Sequence, residues 1–216
     1  MILSTRFNIR SAGIVAAIIA VIHKLVGQGD KIEVTRRGIK WALDLKEGID
    51  FSIYLTGAFE PNTIAAYKAV LNDGDVAIDI GANIGAHTLH LAQAVGPSGH
   101  VYAVEPASEI FFKLIQNSEI NPDISERISA FQVMLLADDN TDIPKEIYAR
   151  WPLQKSAEAH PLHLGIPVST SGAARKTLDE FVLDKGINRI DFIKLDVDGF
   201  ELDVLKGAAK TLAKLK

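Results

Sequence analysis

The chain has 216 residues, 48% of them hydrophobic and 23% charged, with a formal net charge of −4. That balance is globular and sized for one domain with a sizeable core, and it offers no basic stripe for nucleic-acid phosphates. Cysteine is absent, which excludes disulfides, thiolate catalysis and cysteine-based zinc sites.

Arg6 and Arg10 precede an apolar run from Ala12 to Ile22, closed by His23 and Lys24. A spanning helix needs roughly 20 apolar residues, so this run is too short to cross a bilayer. Its basic flank resembles a signal peptide, yet no small-residue cleavage site follows closely. The expectation is a packed N-terminal helix in a cytoplasmic chain, with a signal or a membrane-peripheral anchor as the alternative. Residues 31–45 then read as a hairpin. Ile32, Val34, Ile39, Trp41, Leu43 and Leu45 alternate with polar residues about Arg37-Gly38. Pro61 suits a first helical turn and opens a helix through Leu71. Residues 1–74 are expected to form a helix and hairpin cap on the domain at 75–216.

From Val76 the pattern changes. Val76–Ile80 is a short apolar run of the kind that forms a buried strand. Ile84, Thr88, Leu91, Ala92 and Val95 follow with helical spacing, and Gly96-Pro97 ends that helix. Val101–Val104 reads as a second strand, Ile110 to Ile115 as a second helix, and Ile128–Leu136 as the site of a third strand. Residues 138–176 hold Pro144, Pro152, Pro161 and Pro167 and read as a long irregular connection on the ligand side. Thr177-Leu178-Asp179-Glu180 is a capping box. Ile190–Leu195 reads as a fourth strand, with a last helix from about Gly199. Strands alternating with helices imply right-handed crossovers and an α/β fold: a Rossmann-like parallel sheet with helices on both faces.

In such a sheet, ligands sit beyond the carboxyl ends of the strands. Asp79-Ile80-Gly81-Ala82-Asn83-Ile84-Gly85 lies at one of those ends. Gly81 permits a tight turn and close approach of backbone to ligand, and Gly85 lets the next helix pack on the strand. Glu105 ends the second strand, where a carboxylate can accept two ribose hydroxyl hydrogen bonds. A dinucleotide fingerprint would read G-x-G-x-x-G, but Asp79 replaces its first glycine. An aspartate there would repel a pyrophosphate and favour the cationic end of a zwitterionic ligand. S-adenosylmethionine has a ribose, a sulfonium and an amino-acid tail, and no phosphate.

Val76 to Gly85, Val104-Glu105-Pro106, Thr177-Leu178-Asp179 and Asp191 to Glu201 together resemble the FkbM-type methyltransferases, in the family's order over about residues 57 to 208. The resemblance implies S-adenosylmethionine as methyl donor and O-methylation of a small-molecule or glycan acceptor: a hydroxyl on a sugar, glycolipid or secondary metabolite. By position, Asp79, Gly81, Asn83, Gly85 and Glu105 are expected to hold the donor, with Thr88 and Asp138 completing that set. Asp196 is expected near the methyl group as the first candidate base, with Lys194 and Asp198 beside it. Two departures stand out. The family usually carries glutamate at Asp198, and it continues into three further strands after the last helix. The sheet is therefore expected to be C-terminally incomplete, with the fourth strand at its edge.

Several residues carry a second reading. Asp196, Asp198 and Glu201 also read as acids favouring a helix N-terminus, and no metal is expected. Lys194, inside an apolar strand, pairs with a carboxylate or reaches solvent at the edge. His87 and His90 read as surface or packing residues, and His160 and His163 as loop residues. Glu60 either caps its helix or leans over the donor pocket. Two other functions stay open: a nicotinamide-dependent oxidoreductase and a non-catalytic donor-binding module.

Overall fold

A computed structural model of the chain describes residues 27, 29–138, 140–154, 158–161 and 164–214. The apolar run at 12–22, and with it the expected N-terminal helix, lies outside the described residues. His163 does too. No helix among the described residues is long and apolar enough to cross a membrane.

The first two strands, β1 (Lys31–Arg36) and β2 (Ile39–Asp44), form the expected hairpin. Arg37 and Gly38 both take positive φ, 49° and 78°, the backbone that a two-residue turn needs to match strand twist. Ile39, Trp41 and Leu43 point inward from β2 and are buried. The free side of β2 is closed by two asparagines. The Asn117 and Asn121 Oδ1 atoms accept from the Ala42 and Lys40 backbone N–H at 2.8 Å each. Helices α1 (Gly48–Thr56) and α2 (Pro61–Lys68) follow, the second opened by its N-terminal proline.

The central sheet contains β3 (Val76–Ile80), β4 (His100–Val104), β5 (Ile128–Phe131) and β10 (Phe192–Leu195) in the order β10-β3-β4-β5, all parallel. Between β3 and β4 lies α3 (Thr88–Ala94); between β4 and β5 lie α4 (Ser108–Glu119) and α5 (Pro122–Ser125). Side chains alternate across the sheet. Ala77 and Val101 join Ile64, Tyr67, Leu91 and Val95 on the α2–α3 face. Ile78, Ile80 and Val104 face Leu178, Phe181 and Val204 on the other. Those last residues belong to α6 (Leu178–Asp184) and α7 (Glu201–Lys206), after which α8 (Ala209–Lys214) ends the described chain. Helices thus cover both faces. The capping box forms as expected, with Thr177 Oγ1 accepting from the Glu180 N–H at 3.1 Å and Glu180 accepting from the Thr177 N–H at 2.8 Å.

The third strand expected within residues 128–136 is present as β5, and it is shorter than that span. The chain leaves the sheet at Gln132, whose side chain donates to the Pro106 and Ser171 carbonyls. Residues Val133–Leu135 then form β6, which pairs with β9 (Ala174–Lys176) outside the central sheet. The long connection expected at 138–176 carries strands of its own. Strands β7 (Glu146–Arg150) and β8 (Ile166–Ser169) pair antiparallel, with a register shift between Tyr148 and Arg150. Short strands broken by a bulge and by Pro167 lack the alternation that marks longer ones. The ribbon is tied to the N-terminal elements by Gly48 N–H to Trp151 O and Leu153 N–H to Lys46 O, each 2.8 Å. An Arg150–Glu47 ion pair at 2.6 Å adds to it.

Candidate active site

A cavity of about 800 Å³ opens beyond the carboxyl ends of β3, β4 and β10. Its volume is within the range of small-molecule sites. One wall is the sheet's own: Gly81, Ala82, Asn83, Glu105, Lys194 and Asp196. The other comes from β7 (Ile147, Tyr148, Ala149), Trp151 and the 197–200 loop.

The β3–α3 turn is drawn tightly against its neighbours. Gly81 has φ +77°, and a Cβ there would lie 1.8 Å from the Asp196 carbonyl oxygen, so only glycine fits. The Gly81 and Ala82 N–H groups both donate to Val104 O at 3.0 Å. Asn83 also takes positive φ. Its side chain donates to Ala149 O at 3.2 Å, joining the turn to the ribbon. Gly85 is not on the cavity wall. A Cβ there would meet Leu114 at 3.0 Å, so this glycine serves the close packing of α4.

Glu105 is 3% exposed and lines the cavity. Its two carboxylate oxygens accept the Asn83 and Ala107 N–H groups at 2.9 Å each. Burial pushes its carboxyl up to about 7, opposed by those two hydrogen bonds and by Lys194. Each oxygen keeps a second lone pair, so the group still asks for donors.

Asp79 lies deeper than its sequence position suggested. It is fully buried and not on the cavity wall. Thr88 Oγ1 donates to its Oδ2 at 2.6 Å, and Lys194 Nζ stands 3.2 Å from its Oδ1. Lys194 also donates to Gly81 O at 2.8 Å. The expected ammonium–carboxylate pairing of Lys194 is thus with Asp79. That pair neutralises the aspartate and braces the turn. Thr88 belongs to the same buried brace. Asp138 stands apart: it is exposed and accepts from the Asn140 and Thr141 N–H groups of its own turn. A short polar side chain beside such a turn is better used as a local cap.

Asp196 and Asp198 both line the cavity, and the Asp196 side chain is 58% exposed. Loss of solvent, then the like charges of Asp196 and Glu201, pushes the Asp198 carboxyl up to about 6. Glu201 instead caps the 197–199 loop, accepting from the Val197 and Gly199 N–H groups. No cluster of potential metal ligands occurs among the described residues.

Sequence reasoning missed part of the lining. Phe59, His87, Met134, Tyr148 and Phe200 face the cavity. His87, expected as a surface or packing residue, is buried, its side chain 4% exposed, and lines the cavity with Glu60. Glu60 therefore leans over the pocket and does not cap α2 with its side chain. The signal for His87 was its place two residues after Gly85, where the chain leaves the ligand turn. His90 is the packing histidine: it sits fully buried beside Trp41, and burial pushes its imidazole down to about 4.

Comparison with known proteins bears on this geometry. The chain is similar to Methyltransferase 1 of Beauveria bassiana, 26% identical over 189 residues that cover 73% of this chain and 72% of the relative. It is also similar to the hexuronic acid methyltransferase AglP of Haloferax volcanii, 32% identical over 158 residues, 71% of this chain and 58% of that one. Among solved structures, Methyltransferase FkbM from Methylobacillus flagellatus KT matches with a TM-score of 0.45 and 19% identity, covering 76% of this chain and 39% of that one. This chain spans 39–42% of the length of three of the solved structures that it matches. The methyltransferase FkbM domain family matches residues 79–216, a span that holds the β3 turn, Glu105, the capping box and the Asp196 loop. The chain belongs to the FkbM family of S-adenosylmethionine-dependent methyltransferases.

Proposed function

We propose that this chain transfers a methyl group from S-adenosylmethionine to the hydroxyl of an uncharged small molecule or glycan. The observation that carries this reading is Glu105. A buried carboxylate on the cavity wall, with two lone pairs left over from its backbone partners, suits the two hydroxyls of a ribose. Gly81 and Asn83 would flank the donor, while Asp79, Thr88 and Lys194 hold the turn beneath it. When bound, the donor supplies a methyl group already activated by its sulfonium, so the protein's task is positioning. Asp196, on the cavity wall, would accept a hydrogen bond from an acceptor hydroxyl and orient it, with Asp198 beside it.

Charge supports the acceptor class. Among the described residues lining the cavity, Glu60, Glu105, Glu146, Asp196 and Asp198 are acidic, and the sole lysine, Lys194, is already paired with Asp79. A carboxylated acceptor such as a hexuronic acid would meet repulsion there. The ring faces of Phe59, Tyr148, Trp151 and Phe200 suit the apolar face of a sugar or of a secondary metabolite. Competition assays with methyl glucoside and glucuronic acid as probe acceptors test this reading. Methylation of the neutral sugar alone is expected, and methylation of the uronic acid alone would overturn it.

A further inference from the structure

Both ring nitrogens of His87 lack a hydrogen-bond partner among the described residues. The side chain is 4% exposed, and the residue lines the cavity. A buried imidazole left unsatisfied is costly and calls for a reason. Its orientation is fixed by edge contacts with Phe59 at 6.1 Å and Tyr67 at 6.0 Å between ring centroids. Nε2 stands 3.6 Å from Glu60 Oε2, and Glu60 is itself on the cavity wall with its side chain 49% exposed.

We propose that His87, backed by Glu60, is the base that receives the acceptor's hydroxyl proton. This rests on the methyl-transfer reading above. The acceptor hydroxyl would hydrogen-bond to His87 Nε2. As its oxygen forms the bond to the methyl carbon, the carbon–sulfur electron pair stays on the leaving sulfur, and the hydroxyl proton passes to Nε2. The resulting imidazolium lies beside the Glu60 carboxylate, whose exposed side chain gives the proton a route to water.

The surroundings suit a base that is neutral at rest. Burial lowers the His87 pKa most, and Lys194 on β10 lowers it further. Asp79 on β3, Glu60 before α2 and Asp196 after β10 act the other way. Tyr67 on α2 and His90 on α3 also face it, both held uncharged by burial. A neutral imidazole with carboxylates at hand can accept a proton transiently, which is what general-base catalysis requires.

The test joins three readouts. In an NMR titration of the ligand-free chain, the His87 imidazole should titrate below the ordinary value of about 6.5 and move lower still in Glu60→Gln. S-adenosylhomocysteine should shift its ring resonances. Resonances indifferent to both changes would overturn the proposal. By calorimetry, His87→Gln and His87→Ala should bind S-adenosylhomocysteine within about twofold of the parent, because a base acts on the acceptor. A loss beyond about tenfold would make His87 a donor-holding residue and overturn the assignment. With labelled S-adenosylmethionine and methyl glucoside as probe acceptor, either variant should lose about a hundredfold or more in turnover, with thermal melting to establish folding. A folded His87→Gln that turns over like the parent would also overturn it. If the parent itself methylates no probe hydroxyl, the acceptor reading fails, and the titration and binding results decide His87 alone.

Discussion

Gly81, Asn83 and Glu105 stand at strand ends on one side of the cavity and are fixed by backbone hydrogen bonds to β4 and β5 neighbours. Ile147, Tyr148 and Ala149 face them from a two-stranded ribbon that contains a register shift and hangs from α1 through residues 151–153. In the first wall Glu105 is buried, and backbone hydrogen bonds fix all three residues; the second is locally irregular, with Tyr148 exposed. Rigid strand ends suit the donor, which we propose binds there. A ribbon outside the central sheet can vary in sequence and position without disturbing the core, which suits the acceptor side. The two walls should therefore respond differently to mutation.

The largest effect is expected beneath the sheet wall. Asp79→Ala leaves Lys194, whose side chain is 10% exposed, without its carboxylate. Removing one partner of a buried ion pair costs about 3–5 kcal/mol, and urea unfolding should show a loss of that size. A loss under about 1 kcal/mol would mean that the brace contributes little. Next comes Glu105→Ala, which removes charge-assisted hydrogen bonds to the donor. It should weaken S-adenosylhomocysteine binding by about 1.5–3 kcal/mol and also lower stability, since the Asn83 and Ala107 N–H groups lose their acceptor.

A smaller effect concerns pH. Glu105 is held up to about 7, and a ribose diol is better accepted by the ionised carboxylate. Binding must then drive off the proton from the neutral fraction. The affinity for S-adenosylhomocysteine should rise between pH 6 and 8, by up to about tenfold, and the rise should flatten in Glu105→Ala. The same shift has the opposite sign for the ligand-free fold. Burial favours the neutral carboxyl, so its stabilising contribution is full below the ordinary value of about 4.3. It is lost as pH rises through about 7. The smallest effect belongs to the ribbon wall: Tyr148→Ala should change stability by no more than about 0.5 kcal/mol and leave donor affinity unaltered, while lowering affinity for the acceptor.

The same contrast explains what could be read in the sequence. The strands and helices around Val76–Val104 and the capping box at Thr177 follow from local patterns that their neighbours reinforce. Glu105 was legible because its position depends only on one strand's length. Asp79 was found by motif, but its burial was not. Whether it faced the ligand or Lys194 depended on the pairing of β3 with β10, more than 110 residues apart in sequence. The split of residues 128–136 into β5 and β6 likewise depends on Ser171, which Gln132 reaches across the fold. Asp138, expected in the donor set from its place after a strand, lies outside the cavity lining and accepts from its own turn. Tyr148 gave no local signal of facing the cavity, and the one for His87 was only its place just after the ligand turn.

The central claim is that this cavity is built for S-adenosylmethionine and not for a dinucleotide. With Asp79 neutralised by Lys194, and a ribose common to both ligands, that claim rests on the acidic lining, which would repel a pyrophosphate. Calorimetric titration of the purified chain with S-adenosylhomocysteine and, separately, with NAD and NADP tests it directly. Saturable 1:1 binding of S-adenosylhomocysteine with no heat from either nicotinamide dinucleotide is the predicted result. Saturable binding of NAD or NADP, with no response to S-adenosylhomocysteine, would contradict it.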